Sequence, residues 1–106
     1  MSARRKLVRH DEDRIFVETI SSINFAIQKT QKALQYITKL KGIDERVVVV
    51  IEISSKKYEY YIDYDERGTD VNFLRRILSN ELKKGRNMVV NIYTEEINLL
   101  KLKEKK

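Results

Sequence analysis

His10 is the only histidine in the 106-residue chain, and no cysteine is present. A histidine-based triad, a multi-histidine metal site, a thiolate zinc site and a cysteine nucleophile each need residues that are missing or occur once. Carboxylates cluster at Asp11-Glu12-Asp13 and at Asp63, Asp65 and Glu66, and a divalent-metal nuclease could use such groups. Both clusters adjoin arginines, the pattern of a solvated, highly charged surface. Gly68 stands alone in its segment, so no glycine-rich loop exists to cradle a phosphate. The expectation is a protein that is not an enzyme, with no metal, no cofactor and no small-molecule substrate.

The charge pattern points to a different chemistry. The net charge is +6, and residues 1–9 contribute Arg4, Arg5, Lys6 and Arg9 with no acid. Residues 101–106 contribute Lys101, Lys103, Lys105 and Lys106 against Glu104. Removing the +4 and +3 of these ends leaves the intervening chain at −1. The basicity is therefore expected at the two ends, where short cationic tails attract phosphate. Lys56, Lys57, Lys84 and Arg86 are the next candidates for phosphate contacts. Nucleic acid is the partner this implies.

The elements that would position these residues follow from periodicity. From Ser22 to Lys41, Ile23, Ile27, Leu34 and Ile37, with Ala26, Ala33 and Leu40 beside them, recur at three- and four-residue steps, predicting an amphipathic helix. Val71, Leu74, Ile77, Leu78 and Leu82 predict a second helix over Asp70–Lys84, opened by Thr69-Asp70 after a turn at Gly68. Gly42 and Gly85 suit the left-handed position just past each helix end. Arg46–Ile53 is a β-branched run, and Lys57–Tyr64 alternates, so the two predict a hairpin turning at Ser54-Ser55-Lys56. Asn87–Thr94 predicts another strand, and Ile97, Leu99, Leu100 and Leu102 fit a short terminal helix, the preferred reading, or an edge strand.

Residues 14–19 admit two readings. Ile15, Phe16, Val17 and Thr19 favour a strand, with Ser21-Ser22 capping the helix after it. Phe16, Ile20, Ile23, Ile27, Thr30, Leu34 and Ile37 also fit one long helix from Asp11. Such a 30-residue helix would span about 45 Å and would need a partner chain, which favours the strand. The order β-α-β-β-α-β then predicts a ferredoxin-like α+β domain, an antiparallel sheet with two helices on one face. The alternative is α-β-β-α-β with one long N-terminal helix, dimeric. The expected organisation is a flexible basic arm over 1–13, one domain over 14–96 and an amphipathic to basic tail over 97–106.

In a ferredoxin-like sheet the first and third strands are central, and their helix-free face can offer bases a stacking platform. Ile15 and Val17 pointing inward would leave Phe16 outward, and Tyr58, Tyr60, Ile62 and Tyr64 inward would leave Tyr61 outward, with Tyr93 and Lys57 nearby. Phe16 and Tyr61 are the candidates for stacking. Ile15-Phe16-Val17-Glu18-Thr19-Ile20 resembles the first-strand signature of the RNA recognition motif, and Lys56-Lys57-Tyr58-Glu59-Tyr60 resembles its third-strand signature. That resemblance implies nucleic-acid bases on the open sheet face. The sequence departs from the family at Lys57, where a glycine is expected, and at Glu59 and Asp63, which bring negative charge to the phosphate path. Ser22-Ile23-Asn24-Phe25-Ala26 is similar to the helix opening of the Alba chromatin proteins, whose order of elements the hairpin does not follow.

A competing reading is an interaction or dimerisation module of a larger ribonucleoprotein or viral assembly, using Val48, Val50 and Phe16 as an outward apolar patch. The chain is 42% apolar and 36% charged, which suits a folded domain of its length. The longest apolar run, Val47–Ile51, is far below the roughly 20 residues of a membrane span. No apolar stretch follows the first basic residues, so no secretory signal is expected, and with no cysteine a cytoplasmic location is the expectation. Abundant Lys, Glu and Ile with scarce Cys and Met is a balance of heat-adapted proteins.

Overall fold

The computed structural model describes residues 7–38, 44–64 and 67–97. The elements are β1 (Leu7–Val17), α1 (Ile20–Thr38), β2 (Asp44–Ile53), β3 (Lys56–Ile62), α2 (Thr69–Lys83) and β4 (Met88–Ile97). They form one four-stranded, wholly antiparallel sheet with two helices, an α+β architecture. The element order is the expected one, and the long N-terminal helix is not formed. β1 ends at Val17, and α1 starts at Ile20 because the Thr19 hydroxyl accepts the Ser22 N–H at 3.2 Å, an N-cap.

The strand order is β1-β4-β2-β3, so β4 and β2 are central and β1 and β3 are the edges. This differs from the ferredoxin-like arrangement, whose central strands are the first and third. The reason lies in the residues. Val47, Val48, Val49 and Ile51 of β2 and Val90, Ile92 and Tyr93 of β4 are buried, on both faces of the sheet. A strand apolar on both sides belongs in the middle. β3 is exposed from Lys56 to Glu59 and at Tyr61, with Tyr60 half-buried and Ile62 buried, and so tolerates an edge. Tyr58 and Tyr64, expected to point inward to the core, are 42% and 55% exposed because an edge strand has a neighbour on one side alone.

The core lies between the helices and one sheet face. Ile15 and Val17, Val47, Val49 and Ile51, and Met88, Val90 and Ile92 meet Ile23, Ala26, Ile27 and Leu34 of α1 and Val71, Leu74 and Leu78 of α2. α2 starts after Gly68, which is left-handed at φ 66°, and no side chain caps it. Asp70, expected to help cap it, accepts the Asp63 N–H at 2.9 Å and ties the end of β3 to the first turn of α2. Gly85, at φ 78°, closes α2 in a Schellman motif: its N–H reaches Leu82 O at 2.9 Å, and Arg86 N–H reaches Glu81 O at 3.1 Å. Gly42 lies outside the described residues.

Two boundaries differ from expectation. β1 begins at Leu7, so Arg9 and His10 belong to a strand, opposite Glu95 and Thr94, and not to an arm ahead of the fold. β4 is long enough to pair with that extension and runs on through Ile97, where a terminal helix was expected. Residues 98–106 lie outside the described residues.

The β2–β3 loop is only Ser54-Ser55, since Ile53 pairs with Lys56. Ser54 is held at φ 57°, a conformation that costs a residue with a Cβ roughly 1–2 kcal/mol. Ser54→Gly should therefore raise stability, by about 0.5 kcal/mol after the extra unfolded-state entropy of glycine. Urea denaturation of the two proteins measures the difference.

Candidate nucleic-acid interface

The sheet face away from the helices is built from alternate residues of all four strands. Cross-strand rows run Arg14–Asn91–Val50–Glu59 and Phe16–Val89–Glu52–Lys57, with Tyr93, Val48 and Tyr61 in the next row. Phe16 and Tyr61 are exposed at 67% and 50%, as expected, but they lie on opposite edges. Three strand spacings and a four-residue offset put them about 20 Å apart, too far to stack neighbouring bases as one platform. Tyr93 is only 2% exposed and Val48 is fully buried, and Val50 is half-buried. Val48 lies between Tyr93 and Tyr61 in its row, so the expected apolar patch of Val48, Val50 and Phe16 is not open.

The charges of this face neutralise one another. Arg14 Nη1 donates to Glu52 Oε2 at 3.3 Å and to Asn91 Oδ1 at 3.2 Å, while Asn91 Nδ2 donates to Glu52 Oε2 at 2.6 Å. Arg46 Nη2 donates to Glu95 Oε2 at 3.3 Å, and its guanidinium lies 4.1 Å from the centroid of the Tyr61 ring. The Tyr61 hydroxyl donates to Glu59 Oε1 at 2.6 Å. A cleft of about 460 Å3 opens here among Arg14, Glu52, Lys57, Glu59 and Asn91. Its acids match its bases, which gives an incoming phosphate little net attraction.

The other candidates separate into groups. Lys56 and Lys57 are exposed on β3. Lys84 and Arg86 share one acid, Glu81, at 3.4 and 3.3 Å. Arg9 is placed in β1 by register. Arg4, Arg5 and Lys6, with the lysines from Lys101 onward, lie outside the described residues.

The helical layer carries a cationic surface that charge-counting by chain ends overlooks. The four strands hold nine acids and five bases, whereas the two helices hold five bases and two acids. Asp70 and Glu81 are half-buried and already engaged, by Asp63 N–H and by Lys84 and Arg86. On the outer side of α1, Phe25, Lys29, Lys32 and Tyr36 follow the four-three-four spacing of one stripe, and Lys29 Nζ lies 5.5 Å from the Phe25 ring centroid. Lys29 also stands 4.0 Å from Asp13.

The flank of α1 facing α2 repeats amides at Asn24, Gln28, Gln31 and Gln35. Arg75 Nη1 donates to Asn24 Oδ1 at 2.7 Å, so its charge meets a neutral partner. Arg67 and Asn72 join Gln31, Gln35 and Tyr64 around a cleft of about 380 Å3 between the helices. Among the described residues, no carboxylate pairs with Lys32, Arg67, Arg75, Arg76 or Lys83, all exposed. The run of Lys29, Lys32, Lys39 and Lys41 without an intervening acid was the available sequence signal.

Among the described residues, no group of three potential metal ligands forms and no helix is long and apolar enough to cross a membrane. Compared with family models, curated proteins and solved structures, the chain matches none.

Two outcomes follow from the open face. Arg46 Nε is buried without a partner, and Glu95 is the only described carboxylate paired with its guanidinium. Glu95→Ala should lower stability by about 1–3 kcal/mol in chemical denaturation, because the half-buried cation loses its counter-charge. The hydrogen bond to Glu59 raises the Tyr61 pKa above the ordinary 10.0, burial and the Glu59 charge reinforcing it and Arg46 opposing. That hydrogen bond exists only while the phenol is protonated. Its contribution is complete below the ordinary tyrosine range and is lost as pH rises through the raised value. Tyrosinate absorbance should show a late-ionising group that is lost in Tyr61→Phe and shifted to lower pH in Glu59→Gln.

Proposed function

We propose that this protein is a non-enzymatic nucleic-acid-binding protein that holds phosphates against the outer face of its two helices, assisted by its basic ends. The observation that carries the reading is the acid-poor outer surface of α1 and α2, whose two acids, Asp70 and Glu81, are half-buried and engaged, with Lys32, Arg75, Arg76 and Lys83 lacking carboxylate partners among the described residues. Cations held on rigid helices displace condensed counterions without the ordering cost a loose tail incurs. Amides at Asn24, Gln28, Gln31, Gln35 and Asn72 stand among them, and such groups hydrogen-bond phosphate oxygens and base edges. Exposed Phe25 and Tyr36 flank the lysines of α1 and offer rings on which unpaired bases stack.

This reading moves the interface from the open sheet to the helices, because Arg14 and Arg46 of the sheet are paired with Glu52 and Glu95 and its rings are dispersed. Phe16 and Tyr61 become peripheral. Lys84 and Arg86 supplement the surface from the end of α2, and Arg4, Arg5, Lys6 and Arg9 add long-range attraction.

A salt titration of binding to short single- and double-stranded oligonucleotides tests it. With three to five phosphates neutralised, affinity should fall roughly 40- to 500-fold between 50 and 200 mM salt. Arg75→Ala with Arg76→Ala should lower the logarithmic salt slope by about 2, whereas Phe16→Ala with Tyr61→Ala should leave it unchanged. Unchanged binding by the arginine variant would reject the helix face. No binding to either strand form at 50 mM would reject the function itself.

A further inference from the structure

β3 is an edge strand with no partner on its outer side among the described residues. It lacks the devices that protect the opposite edge. β1 has a register shift between His10 and Asp13, and a bulge disrupts edge pairing. β3 runs without a shift from Lys56 to Ile62. On its helix side Tyr58 is 42% exposed, and beyond Tyr60 the ring of Phe73 from α2 packs edge-on at 6.4 Å while itself 49% exposed. On its other side Lys57 and Glu59 stand exposed two residues apart. Among the described residues, Lys57 pairs with no acid, and Glu59 receives only the Tyr61 hydroxyl on one oxygen.

We infer that β3 pairs antiparallel with β3 of a second copy of this chain, about a two-fold axis through Tyr58 and normal to the sheet. In that register Tyr58 meets its own copy, Lys57 faces Glu59 twice, and Lys56 faces Tyr60. Directly opposed residues share a face in an antiparallel pair, so both ion pairs form on the open side and the tyrosines gather on the helix side beside Phe73. Centring the axis on Glu59 would oppose two carboxylates, so charge selects the register. The interface is isologous and closes at two subunits, fusing two four-stranded sheets into one of eight. It does not depend on the nucleic-acid reading.

Sedimentation or light scattering of the full chain without nucleic acid, at about 0.1 M salt, reads the assembly. The wild type should form a concentration-dependent dimer. Lys57→Glu and Glu59→Lys should each weaken it about tenfold or more by opposing like charges, and the double swap should restore it. Because the chain has no cysteine, Tyr58→Cys gives a second readout. Opposed residues lie about 4.5–5.5 Å apart between Cα atoms, within disulfide reach. Oxidised Tyr58→Cys should cross-link, and Tyr60→Cys, about 13 Å from its copy in this register, should not. A wild type that stays monomeric to high concentration, a double swap that fails to restore the dimer, or equal cross-linking at both positions would overturn the inference.

Discussion

The structure depends on burying β2 and β4 on both faces. Val47–Ile51 is apolar toward both faces: in an edge strand, this run would expose more of its β-branched side chains to water, at about 1.5–3 kcal/mol for each one fully exposed. The chain meets the constraint by placing β4 between β1 and β2 and leaving the alternating β3 and the acid-bearing β1 to the edges. Much of the surface follows from that choice. Arg14 and Arg46 come to lie beside Glu52 and Glu95, and Phe16 is carried three strands away from Tyr61.

The secondary structure was largely legible because its signals are local. The four-three spacing through Ile23, Ile27 and Leu34, the αL glycine at 85 and the alternation of β3 each depend on neighbours within a few residues. The strand order was not legible from the sequence of elements, since the same β-α-β-β-α-β order serves more than one arrangement. A local clue did exist: an unbroken Val47–Ile51 run reads as a central strand, and weighing it above the analogy would have put β2 in the middle. The length of β1 was hidden by Asp11-Glu12-Asp13, which resemble a charged arm. Backbone pairing to an equally extended β4 overrides their poor strand propensity.

The site was less legible than the fold. A sum over the middle of the chain conceals opposite contributions, because the acids fall mainly on strands and the bases mainly on helices. Sequence proximity groups Arg75 with Arg76, but only helix packing sets Arg75 against Asn24 and the amide stripe of α1. Pairing across the sheet then decides which charges are already neutralised. Among the described residues Lys57 forms no ion pair, and Glu59 accepts only the Tyr61 hydroxyl.

The charge separation between layers and the free edge at β3 are geometrically compatible for a simple reason. A two-fold axis normal to the sheet turns each subunit within the sheet plane and keeps its faces on the same sides. Both helical layers would then share one side of the joined sheet, doubling the cationic surface, while the neutralised strand faces share the other. An axis lying in the sheet plane would put the helices on opposite sides and divide that surface. The direction of the edge pairing therefore determines whether association of two copies concentrates the positive field or splits it.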